Sequence, residues 1–286
     1  MSDISKRAML ALPSISVWTA RRYDRNISQE VADKHDVNVD RAGRYNKCVI
    51  DVRHPLYVAI SQIAGEARRY HETHTLPWAQ DGARILAVPM FEEYQQMMVV
   101  LRERFEHAVE LFVRAYPKLK EAARGELNGA YRETDYPTQD ELRDKFGFRI
   151  SIMPVPVSSD FRVETLDAEQ VERLRRNISQ EVSDAVHQAE RERWERLFGV
   201  VQHAVVKLSE QKAIFRDSMI ENIKEACETL PKLALAEDKD FNVLVEETKK
   251  KLAVLDPQRL REDTGARADA AMRANQIAKK MAAYMS

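Results

Sequence analysis

The clearest pattern along the chain is a run of hydrophobic positions at helical spacing. From Met90 to about Asn128, apolar residues recur three and four positions apart, which predicts one long amphipathic helix. A second stripe of this kind runs from Asp167 to Leu208. Each helix of ~40 residues would span roughly 60 Å. We expect the two helices to pair antiparallel as an arm.

The first ninety residues show a mixed pattern. Residues 15–20 and 43–52 are rich in β-branched and aromatic side chains, which predicts two strands. A short helix is expected at 26–35, with Asn26 as its N-cap. Another helix opens at His54-Pro55, because proline suits the first helical turn, and it ends before Leu76-Pro77.

Smaller elements are expected between and after the long helices. Thr138 caps a short helix, and the alternation over 148–153 with a second strand from Asp160 predicts a β-hairpin. Three further helices follow near 217–230, 239–254 and 257–284. The last of these is rich in alanine, and its small-residue face suits close helix packing.

These elements predict an α+β fold that is mainly α. Small β elements accompany long antiparallel, coiled-coil-like helices and a helical C-terminal part, and the low numbers of Gly (8) and Pro (10) favour long helices. We expect three consecutive regions. They are a mixed α/β region at 1–90, a long helical hairpin at 91–210 with the short helix and β-hairpin at 138–164, and C-terminal helices at 211–286. Apolar seams of this kind often pair with other chains, so a homo-oligomer is expected.

Charge and cysteine content limit the kind of partner. Forty-five Lys and Arg balance 46 Asp and Glu, so a nucleic-acid site would have to be local. The two cysteines are far apart and fit a reducing cytoplasm. The early apolar run AMLALP is too short for a signal peptide, and no segment approaches a membrane span. We therefore expect a cytoplasmic protein without a membrane partner.

One nine-residue sequence occurs twice, with a single difference between the copies. RNISQEVAD at 25–33 and RNISQEVSD at 176–184 match at eight of nine positions. The first copy is expected to begin a helix through a capping box of Asn26 and Gln29, and the second lies inside the later apolar stripe. The flanking sequences differ, which argues against a duplicated domain. We interpret the phrase as a helix-forming sequence used twice, with a very short duplication or a shared binding motif as alternatives.

Catalytic motifs are not apparent. The chain has no GxSxG, no P-loop and no GxGxxG, so we expect no cofactor and favour a binding role over an enzyme. His71 and His74 lie three positions apart and could hold a metal with a third ligand from elsewhere, but HETH is not HExxH. A helix-end pair near the last carbonyls is the preferred interpretation, and a metal-dependent enzyme at these histidines is the least favoured function.

Basic and aromatic residues are interleaved in the N-terminal third. Guanidinium groups neutralise phosphates, and exposed aromatic rings stack on single-stranded bases. The surplus is small, because residues 1–90 contain thirteen Lys/Arg and ten Asp/Glu. The expected nucleic-acid contacts are Arg21, Arg22, Arg25, Arg44, Lys47, Arg68, Arg69, Trp78 and Arg84.

The order of several segments resembles a known group of proteins. ISVWTARRYDR, EVADKH, AGRYNK, IAGEARRYHETHTLPW, DGARIL and FRISIMPVP look like an uncharacterised family of phage and prophage proteins, a domain of unknown function. The resemblance covers roughly residues 12–200. It implies a phage-related cytoplasmic protein encoded near AAA+ ATPase and von Willebrand A-type genes, and it implies no catalytic residue.

Two binding functions follow as hypotheses. The first is a non-enzymatic DNA-metabolism protein that binds single-stranded nucleic acid through the N-terminal third. The alternative is an adaptor for an AAA+ ATPase machine, which would use the long helical arm and the alanine-rich last helix.

Overall fold

The fold is α+β and mainly α, as the sequence predicts. The computed structural model describes residues 4–78, 82–160, 167–210 and 217–284. The helices are α1 Arg25–Lys34, α2 Val39–Ala42, α3 Pro55–Thr73, α4 Phe91–Leu127, α5 Gln139–Arg143, α6 Ala168–Ser209, α7 Ser218–Thr229, α8 Lys239–Thr248, α9 Pro257–Glu262 and α10 Thr264–Ala282. The strands are β1 Ala8–Ser16, β2 Arg21–Tyr23, β3 Asn46–Cys48, β4 Leu76–Pro77, β5 Arg84–Ala87 and β6 Gly147–Pro154. None of the described helices combines the length and apolarity that a membrane span requires.

The chain divides into two compact units, and each is built from separate stretches of sequence. The first unit, called here the terminal unit, comprises 1–12, 71–95 and 151–286. The second, the central unit, comprises 13–70 and 96–150. The three consecutive regions expected from the sequence remain a prediction about domain organisation.

Two sheets are present in the described chain. One has four strands in the order β4-β5-β1-β6, and the other pairs β2 with β3. Ala8 to Ala11 pair antiparallel with Ala87 to Arg84. The first strand is therefore formed by the AMLALP run, whereas the strand predicted at 15–20 is largely wrong.

A physical reason explains that error. Trp18 and Ala20 are buried in the core of the central unit, but Ala20 adopts a positive φ of 53°, which a continuing strand does not allow. The β-branched and aromatic residues there pack into the core and do not pair in a strand. The strand predicted at 43–52 shrinks to Asn46–Cys48 for a similar reason, since the next two residues, Val49 and Ile50, belong to the same core.

The predicted hairpin strand at 148–153 is confirmed as β6, and its neighbour in the sheet is β1. The approach is close, because a Cβ at Gly147 would lie 2.8 Å from Ser16 Oγ. The partner strand predicted from Asp160 onward lies outside the described residues, apart from Asp160 itself, which ends a 3-10 turn.

Both long helices are confirmed. α4 includes Pro117 and stops at Asn128, whose φ of 44° ends the helix. Asp167 caps α6 through a capping box with Gln170. The Thr138 capping box that opens α5 is also confirmed, and so are the C-terminal helices, of which the last is split into α9 and α10 at Asp263.

Each long helix has a hydrophobic core in its own unit. In the central unit, Phe112 on α4 packs against the rings of Trp18 and Tyr57. In the terminal unit, α6 packs along α10, and Ala270, Ala274 and Ala278 are buried on the facing side. The small-residue face of the last helix is thus used within the chain, and homo-oligomer formation remains a prediction.

The repeated phrase is helical in both copies. Gln29 Nε2 donates to Asp33 Oδ1 at 2.7 Å in α1, and Gln180 Nε2 donates to Asp184 Oδ1 at 2.8 Å in α6. This shared i,i+4 bond supports the interpretation as a reused helical sequence. The predicted Asn26 cap is wrong, because Asp24 accepts from the backbone N–H groups at the start of α1. Aspartate two residues earlier is an equally good cap, and the extended φ and ψ occur there.

Serine in the two copies provides a matched test. Ser28 Oγ is buried, donates to Asp24 O at 2.7 Å and accepts from Tyr45 N at 3.1 Å, whereas Ser179 is exposed on α6. Ser28→Ala is expected to lower the free energy of unfolding by about 1–3 kcal/mol, because the Tyr45 N–H loses its acceptor. Ser179→Ala should change it by less than about 0.5 kcal/mol. Urea unfolding of both variants checks this, and equal effects would contradict it.

Candidate nucleic-acid interface

Six exposed basic and aromatic residues of the N-terminal third lie on or directly beside the two-stranded β2–β3 sheet of the central unit. Arg21 lies opposite Cys48, Arg22 opposite Lys47 and Tyr23 opposite Asn46. Since side chains alternate along a strand, Arg21 and Tyr23 share one face and Arg22 points to the other. We call the set Arg21, Arg22, Tyr23, Arg25, Arg44 and Tyr45 the Arg/Tyr ribbon.

The arginines of this ribbon lack acidic partners. Within the described parts of the chain, the guanidinium groups of Arg21, Arg22, Arg25 and Arg44 form no ion pair with a carboxylate within 4.0 Å. Elsewhere in the same unit, by contrast, Arg104 binds Glu66 through two bonds of 2.9 Å. The ribbon therefore presents four positive charges that neighbouring acids do not neutralise.

Two tyrosine rings accompany these charges. Tyr23 is 46% exposed and Tyr45 is 47% exposed, which is high for large aromatic side chains. The Arg44 guanidinium carbon lies 5.8 Å from the centroid of the Tyr23 ring, within the range of a cation–π contact. The nucleic-acid contacts expected from the sequence include neither tyrosine, although both follow arginines directly, in RRY and RY.

Lys47 does not belong to this interface. Its side chain is 3% exposed, and its ammonium lies 2.9 Å from Asp24 Oδ2 and 2.8 Å from Asp135 Oδ2. It also donates to the carbonyl oxygen of Ala130 at 2.6 Å. The predicted role of Lys47 in phosphate binding is therefore wrong, because the ammonium is already enclosed by acceptors from two separate segments.

The charges around Lys47 stabilise its ionised form. Burial alone would lower the pKa of Lys47, but the hydrogen bonds that its ammonium donates to Asp135 and Asp24 outweigh burial and raise that pKa. The bond from Lys47 likewise lowers the pKa of the Asp24 carboxyl despite burial. No local signal in the sequence links positions 24, 47 and 135, so only the fold reveals this cluster.

The remaining residues of the predicted set lie elsewhere. Arg68 and Arg69 are exposed on α3 in the central unit, and Arg68 Nη2 donates to the carbonyl oxygen of Ile15 at 2.8 Å. Trp78 is half-buried in the terminal unit. Arg84 is half-buried in that unit too, and it binds Thr75 and Glu192. Arg84 and Trp78 therefore do not form part of the Arg/Tyr ribbon.

The two candidate metal ligands are engaged separately. His71 Nδ1 lies 2.8 Å from the Tyr94 hydroxyl, and His74 Nδ1 lies 2.8 Å from Thr73 Oγ1. No cluster of three or more His, Cys, Asp or Glu able to hold a metal ion occurs among the residues that the structure describes. Burial, together with the charge of Arg84, lowers the pKa of His71 to about 4. His71 is therefore neutral at physiological pH.

Comparisons with known proteins give no guide to this site. The chain matches no protein-family model, no curated protein and no solved structure.

Proposed function

We propose that the protein binds single-stranded nucleic acid through the Arg/Tyr ribbon of its central unit. The observation that carries the proposal is the juxtaposition of four arginines that lack acidic partners with two half-exposed tyrosine rings. Guanidinium groups bind phosphates, and tyrosine rings stack on unpaired bases regardless of their identity. A phage or prophage context, which the sequence resemblance implies, remains a prediction.

The distribution of charge supports the same unit. The central unit contains twenty Lys/Arg and seventeen Asp/Glu, although the whole chain has a net charge of -1. The terminal unit therefore carries the acidic excess. A polyanion would be attracted to the central unit, and the attraction would weaken as salt screens it.

The test is a titration of a labelled single-stranded oligonucleotide at several salt concentrations. Removing two phosphate contacts in Arg21→Ala/Arg44→Ala is expected to reduce the slope of log K against log salt by about 1.4, since each contact contributes about 0.7 on single strands. Tyr23→Ala should weaken binding by about 1–3 kcal/mol through lost stacking. Fluorescence anisotropy measures both quantities.

A matched control comes from the same unit. Arg114 is an exposed arginine on α4 that pairs with Glu110 on the same helix. Arg114→Ala should leave both the affinity and the salt slope unchanged. Absence of binding by the wild type at low salt, or an equal loss in the Arg114 variant, would refute the proposal. Preference for a duplex of the same sequence would exclude single strands as the ligand.

The adaptor alternative loses one of its expected surfaces. It relied on the alanine-rich last helix, and that small-residue face is buried against α6. An AAA+ ATPase partner and a metal-dependent reaction at His71 and His74 remain predictions without a supporting observation in the described structure.

A further inference from the structure

A second feature of the molecule, in the terminal unit, is a cavity of about 620 Å³. It lies between α6 and α7, beside the C-terminal end of α3, and all its lining residues belong to that unit. The volume is within the range of about 300–1,000 Å³ that is usual for small-molecule sites. Its lining combines charged and apolar residues.

Two arginines in the cavity wall bind the same carboxylate. Glu192 Oε1 accepts from Arg196 Nε at 3.0 Å and from Arg84 Nη2 at 3.3 Å. Arg196 is held in place further, because it donates to three carbonyl oxygens at the end of α3, those of Glu72, Thr73 and Thr75. This is a common use of arginine, since the last carbonyls of a helix lack partners within it.

Arg84 is equally fixed, and its hydrogen bonds leave Nη1 unused by the described part of the chain. Its Nε donates to Thr75 Oγ1 at 2.8 Å, and its Nη2 donates to the carbonyl oxygen of Thr75 at 3.2 Å. Its Nη1 has no hydrogen-bond partner among the residues that the structure describes. The Arg84 side chain is 20% exposed, and this burial lowers the pKa of its guanidinium group. A desolvated, preorganised guanidinium binds anions more strongly than one in water.

Two arginines and three glutamates line the cavity, and the glutamates differ in their exposure to water. Glu192 is shared between two guanidinium groups, so the half-buried cluster of Arg84, Glu192 and Arg196 has two positive charges and one negative charge. The other two lining carboxylates, Glu72 and Glu225, have exposed side chains. Water therefore screens these two more effectively than the half-buried cluster.

Apolar residues also line the cavity, together with a glycine that the helix does not need. Val200, Ala226 and Leu230 line it, and Gly199 lies beside them inside the long helix α6. Glycine in a helix interior is about 1 kcal/mol less favourable than alanine. A Cβ at position 199 would meet no atom within 4 Å, so packing does not require glycine here. The missing side chain leaves its space to the cavity.

We propose that this cavity binds a small organic carboxylate with an apolar body. Arg84 Nη1 would hold the carboxylate, and the apolar body would lie along α6 and α7 past Gly199. The site is independent of the Arg/Tyr ribbon, because the two belong to different units. Such a carboxylate has two sources, a free organic acid or the C-terminus of a short apolar peptide.

Calorimetric titration of the full chain tests the proposal with defined probes. The probes are 4-phenylbutyrate and N-acetyl-leucyl-leucine, each compared with its neutral amide. Binding of at least one acid is expected, and its amide should bind about tenfold more weakly or worse, because the charged hydrogen bond to Arg84 is lost. Binding of the dipeptide acid alone would identify a peptide C-terminus, and binding of phenylbutyrate alone would identify free acids.

Two substitutions at one position separate binding from folding. Gly199→Leu fills the cavity without altering a charge, and it should abolish binding of the acid. Gly199→Ala is the control, because it adds one methyl group, favours the helix and should retain binding. The proposal is overturned if no acid binds at about 10 mM, where even millimolar affinity is detected. It is overturned equally if acid and amide bind alike, or if Gly199→Leu binds as the wild type does.

Discussion

Lys47→Met is expected to lower the free energy of unfolding of the central unit by about 3–5 kcal/mol. The substitution keeps most of the volume of the side chain but leaves Asp24 and Asp135 without their common cation. Asp24 is 3% exposed, so its carboxylate would remain charged with little solvation. Asp24 also caps α1, so the start of that helix should be affected as well.

Hydrogen exchange resolved by peptide measures this effect. Protection should decrease in peptides from 13–70 and 96–150, which form the central unit. Lys118→Met is the matched control, because Lys118 is exposed on α4 in the same unit, and its effect should stay below about 0.5 kcal/mol. A Lys47 variant with wild-type protection but reduced nucleic-acid binding would show instead that Lys47 contacts phosphate.

The terminal unit is expected to lose about 3 kcal/mol of stability as pH falls from 6.5 to 4. In the folded state the pKa of His71 is lowered to about 4, mainly by burial and further by the charge of Arg84. The unfolded chain therefore binds a proton near pH 6.5, whereas the folded chain does not. The stability that His71 contributes is fully present above pH 6.5. It decreases between pH 6.5 and pH 4, at about 1.4 kcal/mol per pH unit.

Urea unfolding between pH 7 and pH 4 tests the prediction. A Trp18→Phe background leaves Trp78 and Trp194, which both lie in the terminal unit, as the fluorescent reporters. His71→Gln should remove most of this pH dependence, because glutamine does not titrate. His187→Gln, at an exposed position on α6, should retain it. A pH dependence that is the same in all three proteins would show that other groups are responsible.

The burial of Lys47 changes how the basic sequence of the N-terminal third is interpreted. Nine residues were expected to contact nucleic acid, and the sequence treats them alike. They differ in burial. Lys47 and Arg84 form ion pairs with carboxylates inside the fold, whereas the arginines of the ribbon form none with the described residues. Function at a basic surface depends on which cations lack acidic partners, and that property is not local in sequence.

Much of the helical structure is determined by the sequence itself. The apolar stripes of α4 and α6 and the caps at Thr138 and Asp167 depend on residues within four positions of one another. Helical spacing and capping are local interactions, so they can be deduced from letters that are close together. The repeated RNISQEV phrase is helical in both places for the same reason.

Long-range partners were decided only by the tertiary structure. The sequence does not reveal that AMLALP pairs with Arg84–Ala87, since the partners of a strand may lie anywhere in the chain. Nor does it reveal that Lys47 meets Asp135, or that Arg196 meets the end of α3. The buried charges, the Arg/Tyr ribbon and the cavity beside Gly199 all arise from contacts between distant segments, which only folding brings together.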